Sequence, residues 1–444
     1  MIGLKQDFPI PSLEEWQIQL TKELKGEDPG VLERHDEIEG MNYATYHYDL
    51  GANSAEGSRR GNSTKNDWHI ATLIQVQDEK STNEKVIELL MTGCDEPIFD
   101  FRTNESADLD LLFKGIEFQY IQTTIVTNSI ETVSRIQQSI GSSYHGKIKY
   151  AIDPHVVGLD PIGKLASLFS EKQTPFIVIN GYGIQQTGAN ATQELAFSLS
   201  TANECLGVLL DAGMNIDQAA ACIHFSVGIT ANYFYSIAKI RSLKELWSSI
   251  VDAYSPVHSC SKNCVITAIS GPMNKSLKDP YTNLLRQTTE GLSAAVSGVD
   301  SILIHPYTCA SSYPSHELAE RMATNISLLL KEESYLHIVN DPMGGSYAIE
   351  QITTQFSKKA WELFQETESK NGVFTEECAE DMKLLILSTA KLRLTNLREG
   401  KHLLIGVNKF ANPSPEKAEY ADVLNYFGLP NLILERELMT EKNG

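Results

Sequence analysis

The sequence has little of the features that most quickly place a protein in a class. Its seven cysteines are few for 444 residues and odd in number, so a disulfide framework is not expected. The N-terminal stretch Met1–Phe8 has no apolar core of signal-peptide length. No window approaches the roughly 20 apolar residues that a membrane-spanning helix needs. These absences predict a soluble, cytoplasmic protein.

Positive charge is scarce as well. Lysine and arginine number 37 against 57 aspartates and glutamates, and the formal net charge is −20. Because so acidic a chain repels phosphate backbones and anionic lipid, we expect no nucleic acid and no membrane surface as a partner. The hydrophobic content of 42% is ordinary for a globular protein. The length allows one large core or two to three domains.

Reactive side chains are missing from the most distinctive stretch, Asn180–Ala189 (NGYGIQQTGA). An apolar run, Pro175–Ile179, precedes it, and a long helical pattern, Ala191–Leu210, follows. Strand, glycine-rich polar loop and helix is the order in which α/β proteins place functional groups. The loop has amides, a phenol and glycines but no carboxylate, histidine or cysteine, so it is typical of a binding site and not of a catalytic one.

From Trp68 onward, apolar or β-branched runs alternate with helical patterns. Eight such units in about 260 residues close naturally into a (β/α)8 barrel, and a doubly wound open sheet is the alternative that the count disfavours. The predicted strands are Ile70–Val76, Pro97–Phe101, Tyr120–Val126, Lys149–Ile152, Phe176–Ile179, Cys222–Val227, Val265–Ile269 and Ser301–His305. The predicted helices between and after them are Asn83–Met91, Ser129–Ile140, Ile162–Phe169, Thr192–Asp211, Tyr233–Ala253, Leu284–Ser297 and His316–Leu330.

The flanking regions divide the chain into three predicted parts. Residues 1–67 form an N-terminal extension, in which Ser12 and Glu15 cap an amphipathic helix over Leu13–Leu24 and a mobile linker spans Gly51–Asn66. Residues 68–335 form the barrel. Residues 336–444 form a C-terminal segment with two helices and a strand-like run: Thr353–Thr367, Glu376–Leu397 and Leu403–Val407.

Several local motifs have structural explanations that outweigh functional ones. The loop Gly158–Lys164 has phosphate-loop spacing but lacks the Ser or Thr that holds magnesium. His258, Cys260 and Cys264 have no second pair of zinc ligands. Asp279 is expected to cap the seventh barrel helix. His305 ends the eighth strand, at the catalytic face of a barrel, where it is a substrate-cleft candidate without an evident acid partner.

Four stretches in chain order resemble the methylmalonyl-CoA mutase family. GYGIQQTGA, continued by QELAF at Gln193–Phe197, is similar to the family's barrel signature SGYHIQEAGA…QELAF. Lys278–Asn283 is similar to its DPYNN, Val339–Tyr347 to its VxDPxGGSY, and Gly406–Asn408 to its GVN. The resemblance implies a (β/α)8 barrel whose axis takes the coenzyme A chain, with adenosylcobalamin held over the mouth by a separate C-terminal domain.

The resemblance also marks which residues differ from a catalytic member. The histidine that contacts the thioester carbonyl corresponds to Gly183, and a tyrosine near substrate and cofactor corresponds to Leu73. At the position of an arginine in the catalytic members, this chain has Ala71. The expectation is a chain with no catalytic residue and no metal. Its substrate-cleft candidates are Asn180, Tyr182, Gln185, Gln186 and His305.

The mutase family includes heterodimers in which one subunit is not catalytic, and the sequence resembles that small subunit in a form without the cobalamin domain. The resemblance implies that this chain binds no cofactor, that adenosylcobalamin lies in a large partner subunit, and that residues 1–67 embrace this partner. The Asp153–Gly158 stretch matches the D-x-H-x-x-G cobalamin loop. Because it lies within the alternating strands and helices of the predicted barrel, we take the match as accidental. Two alternatives stay open: a split mutase that borrows a cobalamin domain, and an unrelated acyl-CoA-binding barrel enzyme.

Overall fold

The computed structural model describes residues 11–43, 66–140, 147–168, 176–413, 419–422 and 424–440. Most of the predicted linker lies outside these ranges. The strands are β1 Arg34–Asp36, β2 Met41–Tyr43, β3 His69–Gln75, β4 Glu96–Asp100, β5 Thr123–Val126, β6 Ile148–Ala151, β7 Ile177–Asn180, β8 Ile223–Ile229, β9 Ile266–Ser270, β10 Ser301–Leu303, β11 Asn425–Tyr426 and β12 Leu429–Pro430.

The order of the helices follows the predicted alternation of strands and helices. They are α1 Leu13–Glu23, α2 Glu79–Met91, α3 Leu109–Leu112, α4 Ile130–Ile140, α5 Pro154–Val157, α6 Leu159–Lys164, α7 Gly181–Gln186, α8 Ala191–Asp211, α9 Ile216–Ala221, α10 Tyr233–Ala253, α11 Thr282–Val296, α12 Glu317–Leu328, α13 Tyr347–Ser369, α14 Glu376–Arg398 and α15 Leu434–Thr440. Within the described ranges, no helix combines the length and the apolarity that a membrane crossing needs.

The eight strands β3 to β10 form one parallel sheet that closes on itself. Neighbouring strands pair in the order β6-β5-β4-β3-β10-β9-β8-β7. The two ends of this order meet where Ile152, just after β6, bridges to Ile177 of β7. The amide of Val178 donates to the Ile152 carbonyl at 3.0 Å across this seam. The predicted (β/α)8 barrel is therefore confirmed.

Alternation along each strand separates two apolar regions. Outward side chains such as Ile70, Phe99 and Phe225 pack under the surrounding helices in the main core. Inward side chains of five adjacent strands form a smaller cluster inside the barrel: Ala71, Leu73, Ile98, Val126, Ile269 and Leu303. This alternation aims the inward residues at the strand ends towards the barrel mouth, where a (β/α)8 protein places its functional groups.

Local capping explains where the first helix begins, and one predicted cap is wrong. Ser12 and Glu15 form a capping box on α1, with bonds of 3.2 and 2.7 Å. Asp279 does not cap α11; its carboxylate accepts a bond from the Thr282 hydroxyl at 2.5 Å, while Tyr281 is the N-cap without a side-chain bond. Because Asp279 lies two residues before the N-cap, its short side chain accepts a hydrogen bond within the turn and none from the amides of the helix.

Two further expectations differ from the structure. The run Leu403–Val407 is not a strand but a turn with an isolated bridge between Ile405 and Lys409. Asn66, predicted as part of a mobile linker, is buried, and its amide donates to the Ala295 carbonyl at 2.6 Å. Composition could not reveal this because the partner carbonyl is distant in sequence.

Candidate functional site

The distinctive stretch after β7 is a short helix and not a loop. Asn180 is the N-cap of α7, and its Oδ1 accepts from the Gly183 amide at 2.9 Å. The other end of the same side chain donates to Asp153 at 2.9 Å, and Ser226 donates to Oδ1 at 3.1 Å. Asn180 was a cleft candidate, but its hydrogen-bonding atoms are engaged in holding β6, β7, β8 and α7 together.

A side chain at Gly183 would crowd two neighbouring side chains. A Cβ atom there would lie 2.8 Å from Asn180 Nδ2 and 3.0 Å from Tyr426 Cε1. Tyr426 comes from β11, in the C-terminal hairpin, and its hydroxyl donates to Asp153 at 3.1 Å. The tyrosine ring therefore covers the position from which a histidine at 183 would project. Sequence reasoning missed Tyr426 because it lies in a tail without a recognised motif.

Gln185 and Gln186 are the last two residues of α7, and both are buried at the mouth. A Cβ at Gly228 would lie 2.6 Å from Gln185 Oε1, and one at Gly271 would lie 2.2 Å from Gln186 Nε2, so a glycine of β8 and the glycine just after β9 make room for these amides. Gln186 Nε2 donates to Gln185 Oε1 at 2.5 Å. The structure brings these two candidates together, buried and bonded to each other.

Tyr182 and His305 form a second part of the mouth. Their rings lie 6.2 Å apart, tilted by 34°. Burial, and then the charge of Lys275, lower the pKa of His305 to about 4. Lys275 is itself held by fully buried Glu290 at 2.8 Å. His305 is consequently neutral near pH 7, and burial raises the pKa of the Tyr182 phenol, so neither ring carries a charge at this pH.

Leu73 lies in the inward apolar cluster below the mouth, packed with Ala71, Ile98 and Leu303. Underneath this cluster the barrel holds a buried ion pair, in which Lys149 Nζ lies 2.7 Å from Glu96 Oε1. The barrel axis is thus occupied by one apolar and one charged layer.

Further hydrogen bonds hold the ion pair in place. Glu96 accepts from the Thr124 hydroxyl at 2.6 Å and from Ser301, and Lys149 donates to Ser301 at 2.9 Å. Burial opposes ionisation of Glu96, but the charge and the bond of Lys149 keep the carboxyl pKa below its ordinary value. These bonds join β4, β5, β6 and β10 across the barrel interior.

The histidine of the D-x-H-x-x-G match, His155, packs in an aromatic cluster. Its ring stacks on Phe374 at 4.9 Å and meets Tyr426 and Phe427 at 5.8 and 5.5 Å. Its Nε2 lies 3.0 Å from the Thr201 hydroxyl. Burial lowers the pKa of His155. A ring nitrogen held in this way does not project into the mouth as a cobalt ligand would.

No metal site is found in the described part of the chain, where no three His, Cys, Asp or Glu side chains converge. This covers His258, Cys260 and Cys264, for which the sequence had already favoured a structural role. The candidate residues placed at the mouth are Gln185, Gln186, Tyr182 and His305, which carry amides, a phenol and an imidazole.

The family model of methylmalonyl-CoA mutase matches residues 136–426 of this chain. The methylmalonyl-CoA mutase small subunit of Porphyromonas gingivalis is 30% identical over 446 residues, which cover 92% of this chain and 71% of that protein. The small subunit of Propionibacterium freudenreichii subsp. shermanii is 26% identical, covering 92% and 70%. The methylmalonyl-CoA mutase of Cereibacter sphaeroides is 30% identical over 341 residues, covering 72% of this chain and 48% of that one.

Among solved structures, dihydropteroate synthase from Yersinia pestis superposes with a TM-score of 0.36 at 9% identity, over 60% of this chain and 93% of that one. A likeness this low bears on neither fold nor function.

Proposed function

This chain belongs to the methylmalonyl-CoA mutase family, and on that premise we propose that it is the non-catalytic small subunit of a heterodimeric mutase. In this proposal the large partner subunit binds adenosylcobalamin and interconverts methylmalonyl-CoA and succinyl-CoA. The chain described here stabilises that partner, since any partner that binds only the folded state stabilises it by mass action.

The observation that carries the proposal is the close contact between Gly183 and Tyr426. A histidine at 183 would have to displace Asn180, which caps α7, and the Tyr426 ring, which is bonded to Asp153. The absence of the thioester-binding histidine is therefore matched by neighbours that a histidine would have to displace. A simple replacement of histidine by glycine at position 183, without other changes, would leave the barrel mouth open there.

The packed axis supports the same conclusion for the substrate. Leu73 and its apolar neighbours fill the level below the mouth, and the Glu96–Lys149 pair fills the level beneath it. A pantetheine chain along this axis would have to displace both layers. We therefore infer that the chain has not kept acyl-CoA binding along the barrel axis.

The residues of the mouth do not fit a cobalamin. The one histidine in a cobalamin-loop pattern, His155, is enclosed by Phe374, Tyr426 and Phe427. We assign the cofactor to the partner on this ground, and derive no step of chemistry through it in this chain. The split-mutase alternative is disfavoured by the same contacts, because an added cobalamin domain would meet Tyr426 and not an open mouth.

Helix α1 supports a partner-binding role for the N-terminal extension. Leu13, Trp16 and Leu20 share one face at helical spacing, yet no residue of α1 is buried in the lone chain. Ile18 on the same helix is 63% exposed. An amphipathic helix without a fully buried side chain gains little stability from packing on its own chain, which supports a partner-binding role for α1.

The test is co-expression with a large mutase chain of the same family. We expect a stable one-to-one complex on size-exclusion chromatography, turnover of methylmalonyl-CoA by the complex with adenosylcobalamin, and none by this chain alone. Truncation before Gly26 should weaken the complex without unfolding the barrel.

Three outcomes would contradict the proposal. One is turnover by the lone chain with adenosylcobalamin. Another is activity on adding only an isolated cobalamin domain, which would restore the split-mutase reading. The third is a large chain that is equally stable and active without this one and does not bind it.

A further inference from the structure

Two asparagines in the described part of the chain stand directly before a glycine, Asn180 before Gly181 and Asn371 before Gly372. Asn-Gly pairs are prone to deamidation, because glycine has no Cβ to hinder the attack of its backbone nitrogen on the asparagine side-chain carbonyl. The attack also requires that the side chain can turn towards this nitrogen. The folded structure therefore decides which of the two asparagines reacts.

Asn180 is held by three side-chain hydrogen bonds. Its Oδ1 accepts from the Gly183 amide and from the Ser226 hydroxyl, and its Nδ2 donates to Asp153. Gly181 is buried in the first turn of α7. Turning the Asn180 side chain towards the Gly181 nitrogen would break these bonds and remove the cap of α7, so the fold protects this pair.

Asn371 lies in the turn between α13 and α14 and is exposed, with a left-handed φ of 64°. Within the described ranges, its side chain has no hydrogen-bond partner. The Gly372 nitrogen donates to the Thr367 carbonyl at 3.1 Å, in the last turn of α13, and helix ends are where local opening costs least. Opening of this one helix end therefore suffices to expose the Gly372 nitrogen to the Asn371 side chain.

Glu204 of α8 lies against the same turn and favours its opening. A Cβ at Gly372 would come within 2.2 Å of Glu204 Oε1, an oxygen that has no hydrogen-bond partner in the described part of the chain. Burial raises the pKa of Glu204 to about 7, against the backbone amides of Val373 and Phe374, and the charge of Glu368 raises it further. In mildly alkaline solution an ionised carboxylate is therefore held beside the turn, and opening the turn returns this charge to water.

We propose that Asn371 is a site of spontaneous deamidation, whose products, aspartate and isoaspartate, loosen the turn between α13 and α14. In the first step the Gly372 nitrogen gives its proton to hydroxide and bonds to Asn371 Cγ. The Cγ–Nδ2 bond breaks, and the amide nitrogen takes a proton from water and leaves as ammonia. Water then opens the resulting succinimide at one of its two carbonyl carbons. One water is consumed and one ammonia is released, with no change of oxidation state.

Either product alters the turn. A carboxylate at position 371 lies at the C-terminal end of α13, where negative charge is unfavourable to the helix dipole. Isoaspartate also adds a methylene to the backbone just before Gly372, which fits tightly against Glu204. Val373 of the same turn packs with Ile184 of α7 and Leu429 of β12. The change therefore reaches the C-terminal hairpin, and it does not depend on the proposed mutase role.

The test follows both asparagines in the unmodified full-length chain. Folded protein is incubated in mildly alkaline buffer, a second sample is incubated in the same buffer with urea, and both are digested at mildly acidic pH before peptide mass spectrometry. We expect deamidation at Asn371 to be at least tenfold faster than at Asn180 in the folded chain, and comparable at the two positions in urea. Isoaspartate in the Asn371 peptide is identified by methyl transfer from S-adenosylmethionine with a protein isoaspartyl methyltransferase.

Asn371→Asp carries the charge of the product from the start, and its amides at residues 372–374 should exchange with deuterium at least threefold faster than those of the unmodified chain. Asn128→Asp, the same change at an exposed position before α4, is the matched control and should leave this exchange unchanged. An Asn371 that stays intact in the folded chain while reacting in urea, or equal rates at Asn371 and Asn180 in the folded chain, would overturn the site. Unaltered exchange in Asn371→Asp would show that the turn is not loosened.

Discussion

At position 183 the residue type matches the packing, because glycine fits there and a larger residue would crowd its neighbours. A Cβ there would come within 3.0 Å of Asn180 and reach Tyr426 at 3.0 Å. In an ordinary helix interior, alanine is favoured over glycine by about 0.5–1 kcal/mol. At 183 the contacts should reverse that preference, because overpacking a filled site costs about 1–3 kcal/mol.

We therefore expect Gly183→Ala to destabilise the chain by about 1–2 kcal/mol in urea unfolding. Gly207→Ala in α8, where nothing lies within 4 Å of the added Cβ, is the matched control and should be neutral or stabilising. Combining Gly183→Ala with Tyr426→Ala should cost less than the sum of the two single changes, because both act on one contact. Additive effects would show that Tyr426 does not occupy the space above Gly183.

Gly183→His should destabilise the chain more than Gly183→Ala, and it should not create mutase activity in the lone chain. Methylmalonyl-CoA turnover by this single variant, measured as succinyl-CoA formation with adenosylcobalamin, would contradict the proposed non-catalytic role.

His224 gives a residue-level prediction for pH. It is buried in β8, with Nε2 3.0 Å from the Tyr150 carbonyl. Burial, and then Lys149, lower its pKa from 6.5 to about 4. Between these values the unfolded chain binds a proton that the folded chain does not, so His224 lowers stability as pH falls, by up to about 1.4 kcal/mol per pH unit.

The measurement is the free energy of unfolding at pH 7 and pH 5. His224→Gln should lose less stability over this interval than the unmodified chain, whereas His258→Gln, at an exposed position, should lose as much. An unchanged pH dependence in His224→Gln would show that the imidazole is not buried in its neutral form.

At the scale of elements, the Glu96–Lys149 pair joins strands that are not adjacent in the sheet. Glu96 lies on β4 and Lys149 on β6, and their side chains are 0% and 5% exposed. Removing one member leaves the other as an uncompensated buried charge, which costs about 3–5 kcal/mol. Replacing both by apolar residues of similar size can be nearly neutral.

We expect Glu96→Ala to destabilise the chain by about 3–5 kcal/mol in urea unfolding and Glu96→Leu/Lys149→Met by much less. Glu84→Ala, in the exposed Lys80–Glu84 pair of α2, is the control and should change stability by under about 0.5 kcal/mol. Equal losses for the single and double changes at the buried pair would contradict its role as a charge pair.

At the scale of the whole molecule, the two packed layers in the barrel predict that no acyl chain enters the axis. Titration of the lone chain with methylmalonyl-CoA should give no saturable heat, while the Cereibacter sphaeroides mutase, titrated in the same buffer, serves as the positive control. Saturable binding by this chain would mean that the layers around Leu73 open, and would favour an acyl-CoA-binding barrel.

Much of the architecture was predictable because its signals are local. The alternation of apolar runs and helical patterns gave the eight strand–helix units, and caps such as Ser12 with Glu15 gave a helix start. The site candidates Asn180, Tyr182, Gln185, Gln186 and His305 follow from their places at strand ends, although their roles as cleft residues stay predictions. The division of the chain at residues 67 and 335 also stays a prediction.

The sequence by itself determined the barrel, its family and the absence of a histidine at position 183, because strand alternation, capping and motif order are properties of neighbouring residues. Only the tertiary structure shows that other side chains occupy the space into which a histidine at 183 would project. The Tyr426 hydroxyl reaches Asp153 from 273 positions away, and Asn180 holds α7 beneath the tyrosine ring. Contacts over such separations depend on how the closed barrel brings its strand ends and the C-terminal hairpin together, and no local pattern encodes them.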